Sequence, residues 1–189
     1  MKNRYFTIGI ALTLLLAGGR DRAEAKSRHF VSDYAGTAVD GVIDTDGDVI
    51  RTASVSTGIA NTTLGRVLFQ GEAEFLRRLA TNVTCPAGTL ERPLLQAHAV
   101  LTKEKTGEQL FLTYTSGVQC LDLTTLTFTY HLQGTFTGGT GRFVNATGPF
   151  EDKDNGTGAV LVSDPQGHFL ANEAGTVTGT LSGVGGGGD

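Results

Sequence analysis

Residues Thr125–Thr137, TLTFTYHLQGTFT, decide the fold class. Leu126, Phe128, Tyr130, Leu132 and Phe136 alternate with Thr127, Thr129, His131, Gln133 and Thr135, and only Gly134 interrupts the period of two. Successive side chains of a strand point to opposite faces, so the pattern predicts a long strand with one apolar and one solvated face. Threonine suits the wet face because its branched β-carbon fits the pleat while its hydroxyl stays hydrated. Gly134 is expected to relieve a bend or bulge.

The same rhythm runs outward from this stretch. Val67, Phe69, Ala73 and Phe75 alternate with Arg66, Gln70, Glu72 and Glu74. Leu95, Ala97, Ala99 and Leu101 alternate with Gln96, His98 and Thr102, and Leu110, Leu112 and Tyr114 with Phe111, Thr113 and Thr115. Val177 and Leu181 alternate with Thr176, Thr178 and Thr180. The near-palindrome VIDTDGDVI (42–50) turns on an Asp-Gly step, a hairpin signal. Lys103–Glu108 and Asp164-Pro165-Gln166-Gly167 supply further turns. EAEFLRRLA (72–80) has helical composition, but the alternation through Phe75 predicts a strand with at most a short helical turn after it. About eight strands joined by short turns predict a single antiparallel β-barrel over 26–182, with a β-sandwich as the alternative. Closure removes the edges that long strands would otherwise expose. The repeated G-T-x-T-G at Gly134–Gly138 and Gly175–Gly179 is expected to mark equivalent strand ends of one sheet.

The 189-residue chain is 39% hydrophobic and 18% charged, which excludes a disordered polyelectrolyte. Residues 1–25 read as a secretory signal peptide, with Lys2 and Arg4 before the apolar run and Ala23-Glu24-Ala25 as the cleavage pattern. The alternative is an uncleaved N-terminal anchor, for which the apolar run is short. Without 1–25 the chain carries 11 basic and 17 acidic residues, a net charge of −6. That charge, with no basic stripe, argues against nucleic acid as a partner. No membrane association is expected after leader cleavage, and the destination is secreted or periplasmic. In such a compartment Cys85 and Cys120, the only cysteines, are expected to form a disulfide. The glycine-rich end, 183–189, is expected to be a disordered tail.

Candidate sites are few. Asp44, Asp46 and Asp48 at alternate positions are weak candidates for Ca²⁺, although Gly47 and Val55 fall where an EF-hand needs other residues. The alternative is a solvated hairpin tip. Glu72 and Glu74 share a strand face and could do acid–base work if that face lined a barrel, but the apolar companion set is the expected interior. His131 lies on the threonine face of the best strand and His98 on another polar face; His29 and His168 are scattered. No nucleophile elbow or Cys/His pair is present. Asn61, Asn82, Asn145 and Asn155 begin formal glycosylation sequons, which a chain with 27 threonines generates freely.

The segment Gly134–Phe150, GTFTGGTGRFVNATGPF, resembles secreted proteins of the allene oxide cyclase/dirigent-like β-barrel group, its bacterial members most closely. The resemblance implies a link between two barrel strands. Gly138, Gly139 and Gly141 would make its tight turn, Phe143 and Ala146 would pack on the barrel rim, and Arg142 would donate to carbonyls or a carboxylate. Plant members include a cyclase and guides of phenoxy-radical coupling, but their active-site acids and pocket arginines match no positions here. The expectation is therefore a non-catalytic exported module that binds a small apolar ligand or serves a surface role. The alternatives are a cyclase- or isomerase-like enzyme acting on a hydrophobic substrate in the barrel, and a calcium-stabilised adhesion module.

Overall fold

The computed structural model describes residues 27–46, 49–79, 84–165 and 168–185. The expected leader, Asp48 and residues 186–189 lie outside them. Eight strands follow one another: β1 (Arg28–Asp46), β2 (Val49–Thr62), β3 (Gly65–Leu79), β4 (Leu90–Lys103), β5 (Gln109–Asp122), β6 (Thr127–Gly139), β7 (Thr147–Ser163) and β8 (Phe169–Leu181). Each pairs antiparallel with its sequence neighbour, and β1 pairs with β8, so the sheet closes into a barrel. A 3₁₀ turn, Gly141–Phe143, joins β6 to β7.

The alternation that predicted β6 is a real inside–outside division. Phe128, Tyr130, Leu132 and Phe136 are buried, and Thr127, Thr129, Gln133 and Thr135 are exposed. Gly134 faces inward, where a Cβ would lie 2.5 Å from the Phe150 ring. The strand starts two residues later than its sequence pattern. Leu126 is 42% exposed with φ 55°, a left-handed turn residue rather than part of the apolar face. The two G-T-x-T-G copies lie in β6 and β8 on either side of β7, where Phe150 pairs with Gly134 on one edge and Gly179 on the other.

The core has two layers. Near the β4–β5 turn, Phe30, Phe69, Leu110, Phe136, Phe150 and Leu181 pack together, and Phe143 from the 3₁₀ turn closes that end. Toward the other end Phe75, Leu90, Leu121, Phe128, Leu132 and Ala171 form a second cluster.

Two irregularities change which residues face in. Between Glu74/Phe75 and their partners Gln96/Leu94, β4 carries an extra residue. Leu95, expected on the apolar face, is instead 44% exposed, and Leu94 packs inward. A matching shift in β5 between Tyr114 and Ser116 turns Gln119 inward and leaves Tyr114 inside. A bulge reverses the alternation beyond it, which is why the two strands change phase at the same level.

Cys85 and Cys120 form the expected disulfide, with Cα atoms 5.5 Å apart across a sequence separation of 35. It ties the segment before β4 to β5. The tail expectation needs correction at 183–185: Val184 packs on the first core cluster and the Gly185 N–H donates to the Arg142 carbonyl. That segment is held by the link between β6 and β7.

Candidate binding site inside the barrel

Inward positions of the strands meet in the barrel interior, and some carry polar groups. Tyr34 (β1), Tyr114 (β5), Tyr130 (β6), Asp152 (β7) and Glu173 (β8) all occupy them. They line a cavity of about 100 Å³, whose apolar wall includes Phe30, Phe69, Leu112, Leu132 and Val177. An eight-stranded barrel is just wide enough for side chains to fill it or to hold one small ligand. Space remains here because, between Phe69 and Leu101 and the far end of the barrel, β3 and β4 turn the small residues Gly71, Ala73, Ala97 and Ala99 toward the cavity.

The polar groups form a row across the interior. The Tyr34 hydroxyl lies 2.8 Å from Asp152 Oδ2 and 2.6 Å from the Tyr130 hydroxyl. The Tyr130 hydroxyl lies 3.4 Å from Glu173 Oε2, and Ser56 also hydrogen-bonds Glu173. Asp152 is 2% exposed, and its Oδ1 has no hydrogen-bond partner in the protein. Burial raises the Asp152 carboxyl to about 7; the Tyr34 hydrogen bond pulls it down and the Glu173 charge pushes it up. Burial also raises Glu173, against its bonds to Ser56 and Tyr130, and lifts all three phenols above the ordinary tyrosine value. The tyrosines therefore keep their protons, while a carboxyl proton is exchangeable near neutrality.

A second buried group lies nearer the disulfide end. Arg92 is 1% exposed and donates to Asp40, Thr52 and Gln119. Its guanidinium lies 4.9 Å from the Phe75 ring centre and 5.6 Å from that of Phe169. Burial pushes Asp40 up and Arg92 pulls it back. Because most of its donors are matched, this group reads as a structural cross-brace between β1, β2, β4 and β5.

The sequence-derived candidates lie elsewhere. Glu72 is exposed on the outer wall, opposite Val55 and His98. Glu74 accepts hydrogen bonds from Gln96 and Arg51, which hold its carboxyl below the ordinary range. His131 lies on the outer face of β6, 3.4 Å from Gln133. These three share no site, because the inward phase of β3 and β6 belongs to the apolar companion residues. Asp44 and Asp46 are exposed on β1, while the third proposed calcium ligand, Asp48, lies outside the described residues. Among the described residues no group of three acidic, histidine or cysteine side chains could hold a metal.

The glycine-rich link has a clear geometry. Gly138 and Gly141 have φ of 107° and 56°, and a Cβ on Gly139 would lie 2.0 Å from the Gln109 carbonyl oxygen. The Arg142 N–H donates to Glu108 Oε1 at 2.9 Å, and its guanidinium lies 3.4 Å from Oε2. Phe143 and Ala146 are buried in the core.

Sequence reasoning missed the interior row because tyrosine counts as apolar in an alternation. The available signal was that all three tyrosines after the leader, together with Asp152 two residues past Phe150, sit in the inward phase. Compared with models of protein families and with curated proteins, the chain matches none.

Proposed function

We propose that the chain is an exported β-barrel that holds a small, mostly apolar molecule in its interior. The carrying observation is the cavity of about 100 Å³, with one apolar wall and one wall of tyrosine hydroxyls and buried carboxyls. A few convergent polar groups in an otherwise apolar hollow orient a ligand. The volume suits a small molecule, since an apolar protein cavity of ~150 Å³ takes up benzene. Export is supported by the sequence pattern of residues 1–25 and by the disulfide. The resemblance of residues 134–148 to the allene oxide cyclase/dirigent-like group supports the same reading, since a barrel of that kind encloses its site.

A second reading, an acid–base enzyme of the isomerase or cyclase kind, is favoured by one observation. Asp152 titrates near 7 beside two tyrosine hydroxyls, the range in which a carboxyl can both take and give a proton.

Native mass spectrometry of the protein from its own host's exported fraction tests the main reading. Excess mass that survives gentle desolvation and leaves on denaturation supports an interior ligand. A bare polypeptide mass, after incubation with small apolar compounds as well, would count against it.

A further inference from the structure

The row of oxygens across the cavity has a proton count that limits what it can bind. Asp152, Tyr34, Tyr130 and Glu173 make three consecutive contacts, of 2.8, 2.6 and 3.4 Å. Each contact needs one proton, and each hydroxyl donates only once. The two phenols supply two protons, so all three contacts are hydrogen bonds only when one carboxyl is protonated. In that state the row carries one carboxylate and one carboxylic acid, and the Tyr34 and Tyr130 protons are committed.

Glu173 has a further donor in Ser56. Asp152 does not: it lines the cavity, and its Oδ1 is buried and unpartnered. Of the two carboxyls in the row, Asp152 is the one left with an unsatisfied acceptor oxygen, although the Tyr114 and Ser32 hydroxyls also line the cavity. No lysine or arginine lines it, and Arg92 is engaged by Asp40, Thr52 and Gln119; Glu72 and His98 border it from β3 and β4, where the His98 ring lies 3.3 Å from the Thr113 hydroxyl. The ionisable groups facing Asp152 are Tyr34 from β1, Tyr114 from β5, Tyr130 from β6 and Glu173 from β8, none of them cationic. A ligand carboxylate would meet only like charge. Aromatic rings around the space, with Tyr34 and Phe69 in edge contact at 5.6 Å and Tyr114 and Phe150 at 5.0 Å, suit an organic cation.

We infer that the interior selects a small apolar amine, whose ammonium group donates to Asp152 Oδ1 while its hydrocarbon part lies against Phe30, Phe69 and Leu132. This rests on the reading of the cavity as a ligand site and names the ligand's chemistry. Scaling from benzene in a ~150 Å³ cavity, the space admits roughly four or five non-hydrogen atoms. Ammonium binding requires Asp152 as the anion. Binding below the Asp152 titration therefore releases a proton to solvent.

The test is calorimetric titration of the purified protein with three small branched probes: isobutylamine and isobutanol, which share one shape, and isobutyrate as the anion. At about pH 8 the amine is protonated and Asp152 ionised, and isobutylamine is expected to bind at least about tenfold tighter than isobutanol, with isobutyrate weakest. The preference is expected to fall toward unity by about pH 5, as Asp152 takes up its proton. Asp152→Asn is expected to abolish the preference of amine over alcohol. The pH series on the parent protein gives the same information if that variant fails to fold. Equal affinity for amine and alcohol, tighter binding of isobutyrate, or a preference that survives at low pH or in Asp152→Asn would overturn the inference and leave the interior-ligand reading standing. Failure of all three probes to bind would overturn both.

Discussion

Asp152 sits two residues beyond Phe150 in β7, and its carboxyl is held at about 7 from an ordinary 3.8. A carboxyl raised by folding binds more protons in the native state than in the unfolded chain over that window. Stability is therefore fully present near pH 4 and declines as pH rises toward 7. Asp152→Asn removes the cost of ionising in an apolar interior. It is expected to stabilise the protein by on the order of 2–4 kcal/mol above pH 7 and to change little below pH 4. Urea unfolding at both pH values measures this. A parent whose stability does not fall across the window would contradict the buried-acid description.

At the scale of elements, the extra residue in β4 does most to shape the interior. Unbroken alternation from Leu101 would send Arg92 to solvent; the shift at Leu94–Gln96 brings it inside to Asp40. Removing one partner of a buried ion pair leaves the other uncompensated. Asp40→Ala is expected to cost about 3–5 kcal/mol in chemical denaturation. A triple change of Asp40, Arg92 and Gln119 to apolar residues of similar volume should cost much less, and an equal loss would mean that packing rather than charge governs the site. The disulfide acts on the same part of the barrel. Replacing Cys85 and Cys120 by serine together is expected to lower stability by about 2–4 kcal/mol, chiefly through the unfolded chain. Reducing agent should have the same effect on the parent, readable as a lowered Tm.

For the whole molecule, the eight strands close into a ring, which leaves no exposed edge strand among the described residues. The hollow survives where small residues of β3 and β4 face the tyrosines. Ala99→Leu should fill it without altering the strands, because Ala99 lines the cavity and packs against the first core cluster. The expected outcome is a folded protein, by circular dichroism, that no longer retains small-molecule mass in native spectra. A variant that still carries such mass would locate the ligand outside the barrel.

Local pattern alone determined the strand class, the eight-strand rhythm, most turns and the outward direction of Glu72 and Glu74, because side chains alternate obligatorily along any strand. The cysteine count and the apolar leader pattern determined the disulfide expectation in the same way. The inward tyrosines were legible as positions but not as chemistry, since phenols pack like apolar groups until a carboxyl is set beside them. Tertiary structure decided that Tyr34, Tyr130, Asp152 and Glu173, from four strands and up to 139 residues apart in the chain, stand in one row. It also decided that Leu95 faces solvent while Arg92 is buried. Both outcomes depend on register between strands. A one-residue shift exchanges the two faces, and its place is set by pairing across the barrel rather than by the residues of either strand alone.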